Sequence, residues 1–357
     1  MAARVSSAFA LVEPDQSEWD AFVDRHPQGN LLQNSAWGEL KGQFGWQVKR
    51  VAVRDQNELR AGAQLLIRRK FGLSMGYVPR GPLFSGDSEI DTLLLQALHR
   101  SLRGARCVFL RIEPNLHEGE QGDELHTFLQ QQNWRIADTI QPRSTIELDI
   151  SKEADQLFAA FSKGHRADIR RSERLGVQVR VGESEADLDA FYAAMQATTD
   201  RKSDYAIHSR DYYAQAWRIF KASGRAQLLI ADFEGQAVGS CMVFAGKQSG
   251  YYLYGGSNQI GLKKGANHLL QWHALQWAQA QGCCSYDFWG IPDAFGRAAF
   301  VTDEARRAEL EAQAQQDPLF GVYRFKKGFG GQVVRFLPAY DFVYLAPLYE
   351  LWKRRAA

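Results

Sequence analysis

The segment Tyr323-Arg-Phe-Lys-Lys-Gly-Phe-Gly-Gly331 sets Lys326 and Lys327 between Phe325 and Phe329 and closes on three glycines. Cations beside apolar walls can seat a phosphate or a developing oxyanion, and glycines let another backbone or a ligand come close. The competing reading is the end of a helix that packs two phenylalanines and solvates two lysines; on either reading neither lysine is expected to be core. Lys41 follows Trp37 by four residues in Leu32-Gln-Asn-Ser-Ala-Trp-Gly-Glu-Leu-Lys41, so the two share a helix face. That pair is either a surface lysine over an apolar stem or a cation for a phosphoryl group. In Tyr77-Val-Pro-Arg-Gly-Pro82 the flanking prolines preset the direction of Arg80. The result is a rigid loop crossing or, beside Tyr77, a clamp for a carboxylate or phosphate. Tyr252-Leu-Tyr-Gly-Gly-Ser257 puts Tyr252 and Tyr254 on one strand face, with Gly255 and Gly256 ending the strand. Tyr286-Asp-Phe-Trp-Gly290 is a fifth aromatic-polar cluster.

His208 and Tyr212 stand four apart, with Ser209 as a helix N-cap between them. Arg166, Arg170 and Arg174 recur every four residues and line one helix face. Asp168 and Glu173 on that stretch favour solvated ion pairs, while the three-arginine face could track RNA phosphates. The eight histidines lack metal spacing, and there is neither a nucleophile elbow nor a P-loop, so no metal and no cofactor are expected.

A chain of 357 residues, 45% hydrophobic and 24% charged, is long enough for two soluble domains. Its net charge of +2 excludes general attraction to nucleic acid, so no DNA partner is expected and any RNA contact must use a local patch. Four cysteines without metal spacing read as reduced core residues of a cytoplasmic protein. No apolar run is long enough for a signal peptide or a membrane span.

The periodicity predicts one order of elements twice. The first copy has a hairpin over 48–53 and 59–68, a strand to 77, a helix over 88–103, a strand over 107–112, a helix over 122–133 and a strand over 144–150. The second has a hairpin over 226–233 and 237–245, a strand over 251–254, a helix over 266–281, a strand over 285–289, a helix over 322–327, and strands over 332–337 and 341–345. A helical stretch over 153–223 separates them, and the polar residues 293–318, helical in part, read as a solvated insertion or a mobile flap. Each copy should form a mixed α/β sheet with helices on its faces, giving domains over 1–150 and 151–357.

In this order the five motifs resemble the Fem family of peptidoglycan-bridge aminoacyltransferases, from about residue 15 to about 345. The resemblance implies two acetyltransferase-type (GNAT-like) domains facing each other across a cleft, sharing elements near the C-terminus. A coiled-coil arm has no counterpart, because no heptads are sustained. It also implies a donor, aminoacyl-tRNA, and an acceptor, the side-chain amine of a precursor that is either UDP-MurNAc-pentapeptide or lipid II, met at the inner face of the membrane. The first domain would bind the precursor, with Lys41 on its diphosphate and Trp37, Tyr77 and Arg80 nearby. His208 stands where some relatives carry Arg, and Tyr212 and Tyr254 would line the substrate. The second domain would bind tRNA and do the chemistry. Lys326 would stabilise the oxyanion or the terminal tRNA phosphate, Phe325 would stack the tRNA end, and Lys327 with Arg166, Arg170 and Arg174 would contact tRNA. Family members frequently carry an acid a few positions past the Gly-Pro pair. Here Leu83-Phe-Ser85 follows, so no catalytic carboxylate is assigned.

Two other readings remain at this point. Gln259-Ile-Gly-Leu-Lys-Lys-Gly-Ala266 before a helix loosely matches an acetyltransferase pyrophosphate loop, which suggests an acetyl-CoA-dependent N-acyltransferase. The basic patches alone would suit a non-catalytic RNA- or cell-wall-binding module.

Overall fold

Two seven-stranded mixed sheets grow from the hairpins that alternation predicts. Their spatial order in the first is Phe9–Val12, Gln47–Asp55, Glu58–Lys70, Leu73–Val78, Cys107–Ile112, Ala339–Val343, Arg135–Ala137. In the second it is Gln178–Val181, Ala226–Phe233, Gln236–Ala245, Ser249–Ser257, Ser285–Asp287, Ser144–Asp149, Gln332–Arg335. Both sheets are antiparallel except at the fourth and fifth positions, which pair in parallel. A parallel pair needs a long crossover, supplied by helix Ser88–Ser101 in one and Ala266–Ala280 in the other. This computed structural model describes residues 9–201 and 207–356. Residues 1–8 of the predicted first domain, 202–206 of the predicted helical stretch and Ala357 lie outside the described residues.

The sixth position of each sheet is filled by a strand from the other copy. Ser144–Asp149 follows six strands of the chain's first copy, yet it lies between Ser285–Asp287 and Gln332–Arg335. Reciprocally, Ala339–Val343 follows the second copy and inserts between Cys107–Ile112 and Arg135–Ala137. The predicted division at 150 therefore moves. One unit comprises residues 1–141 and 336–357, the other 142–335. Ladder hydrogen bonds, not chain position, decide where the exchanged strands belong.

Each unit has its own core. Asp87 accepts from the N–H groups of Glu89 and Ile90 and so starts helix Ser88–Ser101. That helix buries Ile90, Leu94, Leu95 and Leu98 with Leu65, Ile67 and Ile112 of the sheet. In the second unit Leu269, Leu270 and Leu275 pack with Val243, Tyr286 and Phe288.

Several local expectations are corrected. Gly255 and Gly256 do not end their strand, which runs to Ser257; a Cβ on Gly256 would strike helix Glu185–Thr199 at Ala194 and Thr198. Residues 293–318 are largely helical, and 302–309 are exposed. They fold into helices Asp293–Ala299 and Glu304–Gln315. Arg335 donates to both Asp293 carboxylate oxygens at 3.0 and 2.9 Å, and Leu310 and Ala314 are buried. Among the described residues the longest helices have 15 residues, and no coiled-coil arm is present.

Candidate active site

The second unit encloses a cavity of about 340 Å³ lined by His208, Tyr213, Tyr252, Tyr254, Trp289 and Lys326, with Thr198, Pro142 and Val322 among its other walls. Lys326 lies one residue from the end of helix Phe320–Lys327 and is 5% exposed, against the expectation that neither lysine is core. Its ammonium donates to the carbonyls of Trp289 at 3.0 Å and Gly290 at 2.7 Å. Trp289 holds φ at 63°, which bulky residues rarely adopt. Its N–H donates to Asp287 at 2.7 Å, and the Thr145 hydroxyl also donates to that carboxylate. The Tyr286–Gly290 motif is thus a preset turn that aims two carbonyls at one ammonium inside an aromatic-walled cavity.

Ser209 caps helix Arg210–Ala222 as predicted, its hydroxyl accepting from the Tyr212 N–H at 3.3 Å. The His208 ring then stacks on Tyr212 at 4.0 Å. Tyr212 itself is not in the cavity wall. Burial pushes its phenol up to about 12, against a hydrogen bond with Tyr254. Tyr213 lies 4.9 Å from the Tyr254 ring, so the strand and this helix build the wall together.

Other predicted residues go elsewhere. The half-buried Phe325 ring packs on His268 at 5.0 Å and Phe329 at 5.4 Å and does not line the cavity, because consecutive helix residues point apart. His165 Nε2–H donates to the Phe325 carbonyl at 2.7 Å, and its ring fills the space a Cβ on Gly328 would need. Gly330 and Gly331 hold φ of 93° and 79° at the turn into Gln332–Arg335. These three glycines serve packing and turning, not ligand approach. Burial lowers the imidazole pKa values of both His165 and His268, the latter to about 4. The helix predicted over the arginines is Lys163–Arg174. Arg166 donates to the carbonyls of Ala159 and Phe161, Arg170 lies 5.3 Å over Phe158, and Arg174 is exposed. Lys327 is exposed and donates to Gly331 at 3.1 Å.

The first unit gathers Lys41, Trp37, Tyr77 and Arg80 by a chain of buried amides. Gln33 takes the Gln64 N–H at 2.8 Å and donates to the Pro79 carbonyl at 2.6 Å, while Gly38 leaves room for the Gln64 amide. Asn34 caps helix Ser35–Gln43, which lays the Lys41 ammonium 4.6 Å over Trp37. Burial, and then the nearby Arg68 charge, bring Lys41 down to about 8. Arg68 lies 5.4 Å over Trp46, and Trp46 is 6.3 Å from Tyr77. Arg80, 3% exposed at φ 47°, stacks its guanidinium 3.8 Å over Phe336.

Glu113 was not foreseen. It is 3% exposed and accepts from the Tyr77 hydroxyl and from the Ile140 and Gln141 N–H groups. Burial raises its pKa, opposed by those hydrogen bonds and by Arg80. Its one sequence signal is an acid directly after the wholly buried strand Cys107–Ile112. A separate hollow of about 400 Å³ beside His26, Phe84, Asp91 and Phe128 holds none of the expected residues.

A profile described as "FemAB family" matches residues 15–133, and one described as "Acetyltransferase (GNAT) domain" matches 159–297. The protein named lipid II:glycine glycyltransferase of Staphylococcus saprophyticus is 25% identical, aligning 93% of this chain with 92% of its own length. The protein of the same name from Staphylococcus aureus is 24% identical over 94% of this chain and 93% of its own. These matches support a Fem family member. The solved structure titled FemX superposes on it with a TM-score of 0.83 at 21% identity, covering 96% of this chain and 99% of that one. A wider fold kinship reaches L-PGS from Bacillus licheniformis, with a TM-score of 0.53 at 15% identity and 94% of each chain covered. Both sheets are GNAT-like.

An anion held at the Lys41 position should bind in a pH-dependent way. The ammonium is lost as pH rises through about 8, so affinity for a diphosphate should fall between neutrality and pH 9. For folding the sign is opposite. Between about 8 and the ordinary 10.5 the unfolded chain holds the extra proton, so stability should rise with pH there. Titration calorimetry with a diphosphate-bearing precursor reads the first effect, and Lys41→Arg should abolish it.

Proposed function

We propose that this protein moves an aminoacyl group from aminoacyl-tRNA to the side-chain amine of a peptidoglycan precursor's stem peptide, the step that builds interpeptide bridges. The amine nitrogen attacks the ester carbonyl, the tetrahedral oxyanion collapses, and the ester oxygen leaves with the terminal ribose of tRNA. The amine's proton departs to the leaving oxygen or solvent. An activated ester and a positioned amine need proximity and charge stabilisation more than a strong base. The observation that carries this reading is the buried Lys326 ammonium, held by two carbonyls at the wall of an aromatic cavity. The relatives' name, lipid II:glycine glycyltransferase, supports the substrate class. In the first unit, Lys41 with Arg68 supplies the cations for the precursor's diphosphate. The reaction belongs in the cytoplasm, where aminoacyl-tRNA is found.

The test is to incubate the protein with mixed charged tRNAs and either nucleotide- or lipid-linked precursor and weigh the products. One added aminoacyl residue is expected; no added mass with either acceptor would sink the reading. The acetyl-CoA alternative is disfavoured by the segment that suggested it. Residues 259–264 form the short helix Gln259–Lys264, where Asn258 takes the N–H groups of Gly261 and Leu262. Gly261 packs against the Val238 carbonyl, so no open cradle of N–H groups remains there. Calorimetry with acetyl-CoA should show no micromolar complex.

Binding of tRNA should be weak and fall steeply with salt. Arg170 and Arg174 should carry that dependence, because Arg166 is engaged by backbone carbonyls. Replacing Arg170 and Arg174 by Ala should flatten the salt slope by about two units. An unchanged slope would remove this helix from the tRNA surface.

A further inference from the structure

One hairpin of the first unit carries a residue that its turn geometry disfavours. Strands Glu58–Lys70 and Leu73–Val78 are joined by Phe71 and Gly72 alone, with Lys70 paired to Leu73. Both loop residues are left-handed, at φ 53° and 75°. Asn, Asp or Gly suits the first of these positions, and a bulky aromatic there is strained. Packing does not offset the strain, because Phe71 is 92% exposed, whereas the next most exposed large apolar residue among the described residues, Ile136, is 60% exposed. Strain kept without a packing gain points to function.

The surroundings say what the tip meets. Ser74, one residue past Leu73, donates its N–H to the Arg106 carbonyl at 3.2 Å and its hydroxyl to Ala105 at 2.8 Å. The Leu345 N–H reaches the Val108 carbonyl at 3.2 Å, which brings this 37% exposed leucine to the same sheet end. Segments 68–73, 100–107 and 344–348 together carry Arg68, Arg69, Lys70, Arg100, Arg103 and Arg106, with no Asp or Glu among them. An exposed aromatic at a hairpin tip, with the Lys70 ammonium 5.3 Å over its ring and further cations but no acids on the segments that meet at this sheet end, matches the interfacial zone of an anionic bilayer. Single-stranded RNA instead asks for a platform on which successive bases lie flat. Arg68 also links the tip to Lys41, whose ammonium it depresses, and to Trp46.

We propose that this hairpin tip docks on an anionic phospholipid surface, with Phe71 among the headgroups and the surrounding cations on lipid phosphates. The acceptor taken at Lys41 is accordingly lipid-linked and presented from that surface, a clause that rests on the transfer reading above. Co-sedimentation with phosphatidylcholine vesicles, with and without phosphatidylglycerol, tests the docking. The protein should bind only vesicles containing phosphatidylglycerol, and salt should release it. Phe71→Asn should weaken binding about tenfold, the scale of losing one interfacial aromatic. It should leave the melting temperature unchanged or higher, since Asn suits a left-handed position. A Lys70→Glu variant should weaken binding independently of turn strain. The proposal is overturned by a wild-type protein that ignores phosphatidylglycerol, by equal binding of both variants, or by variants that lose tRNA but keep vesicles. On the acceptor side, Phe71→Asn should raise KM for precursor anchored in vesicles and leave transfer to the soluble nucleotide-linked form alone. Equal effects on both forms would overturn the acceptor clause. Wild-type inactivity on both would sink the transfer reading instead, while the vesicle comparison still decides docking.

Discussion

Lys326→Ala is expected to slow single-turnover transfer by about a hundredfold or more, the scale of losing one preorganised oxyanion partner. It should also lower the melting temperature, because the substitution strips the Trp289 and Gly290 carbonyls of a buried donor. Leaving such acceptors unmet costs about 1–3 kcal/mol each. Lys326→Arg should rescue poorly, since a planar fork does not reproduce a compact ammonium between two carbonyls. Lys327→Ala should do little to either quantity, because that lysine is exposed and its ammonium donates to the Gly331 carbonyl at its own helix end. Transfer from charged tRNA under single-turnover conditions, with melting curves alongside, separates folding from chemistry. Wild-type turnover in a folded Lys326→Ala protein, or equal losses at both lysines, would remove this ammonium from the reaction.

Asp341→Ala should be the most destabilising single change outside the cavity. Asp341 is fully buried and faces Arg111 across the exchanged strand. Arg111 donates to its two oxygens at 2.8 and 2.6 Å, and the Tyr349 hydroxyl donates at 2.7 Å. Removing the carboxylate strands a buried guanidinium, a loss of about 3–5 kcal/mol. Asp341→Leu combined with Arg111→Met should recover much of that stability, because an apolar pair needs no desolvation offset. Urea midpoints for the single and double variants make the measurement. A single-variant loss below about 1 kcal/mol would mean that solvent reaches the pair.

The fold was largely readable because period-two alternation and turn residues are local signals, and the same order appeared twice. What escaped was pairing. Nothing in residues 144–150 says which sheet they join, since an alternating strand fits either. Site residues split along the same line. Lys326, Tyr254 and His208 line one cavity, a grouping that their separate motifs did not state. The glycines after Lys327 misled, because a glycine admits an imidazole or a turn as readily as a ligand. Glu113 was invisible because its partners Tyr77, Ile140 and Gln141 meet it only through folding.

The reciprocal strand exchange has a consequence for synthesis. As the chain leaves the ribosome, residues 9–137 emerge with a slot open between Cys107–Ile112 and Arg135–Ala137. That slot stays unfilled until Ala339–Val343 appears, more than half a protein later. The first unit, made of residues 1–141 and 336–357, therefore cannot be expressed as one continuous segment, whereas 142–335 is continuous. A ribosome stalled between residues 137 and 343 leaves that slot unfilled, the kind of bare edge that recruits chaperones or pairs with a neighbour.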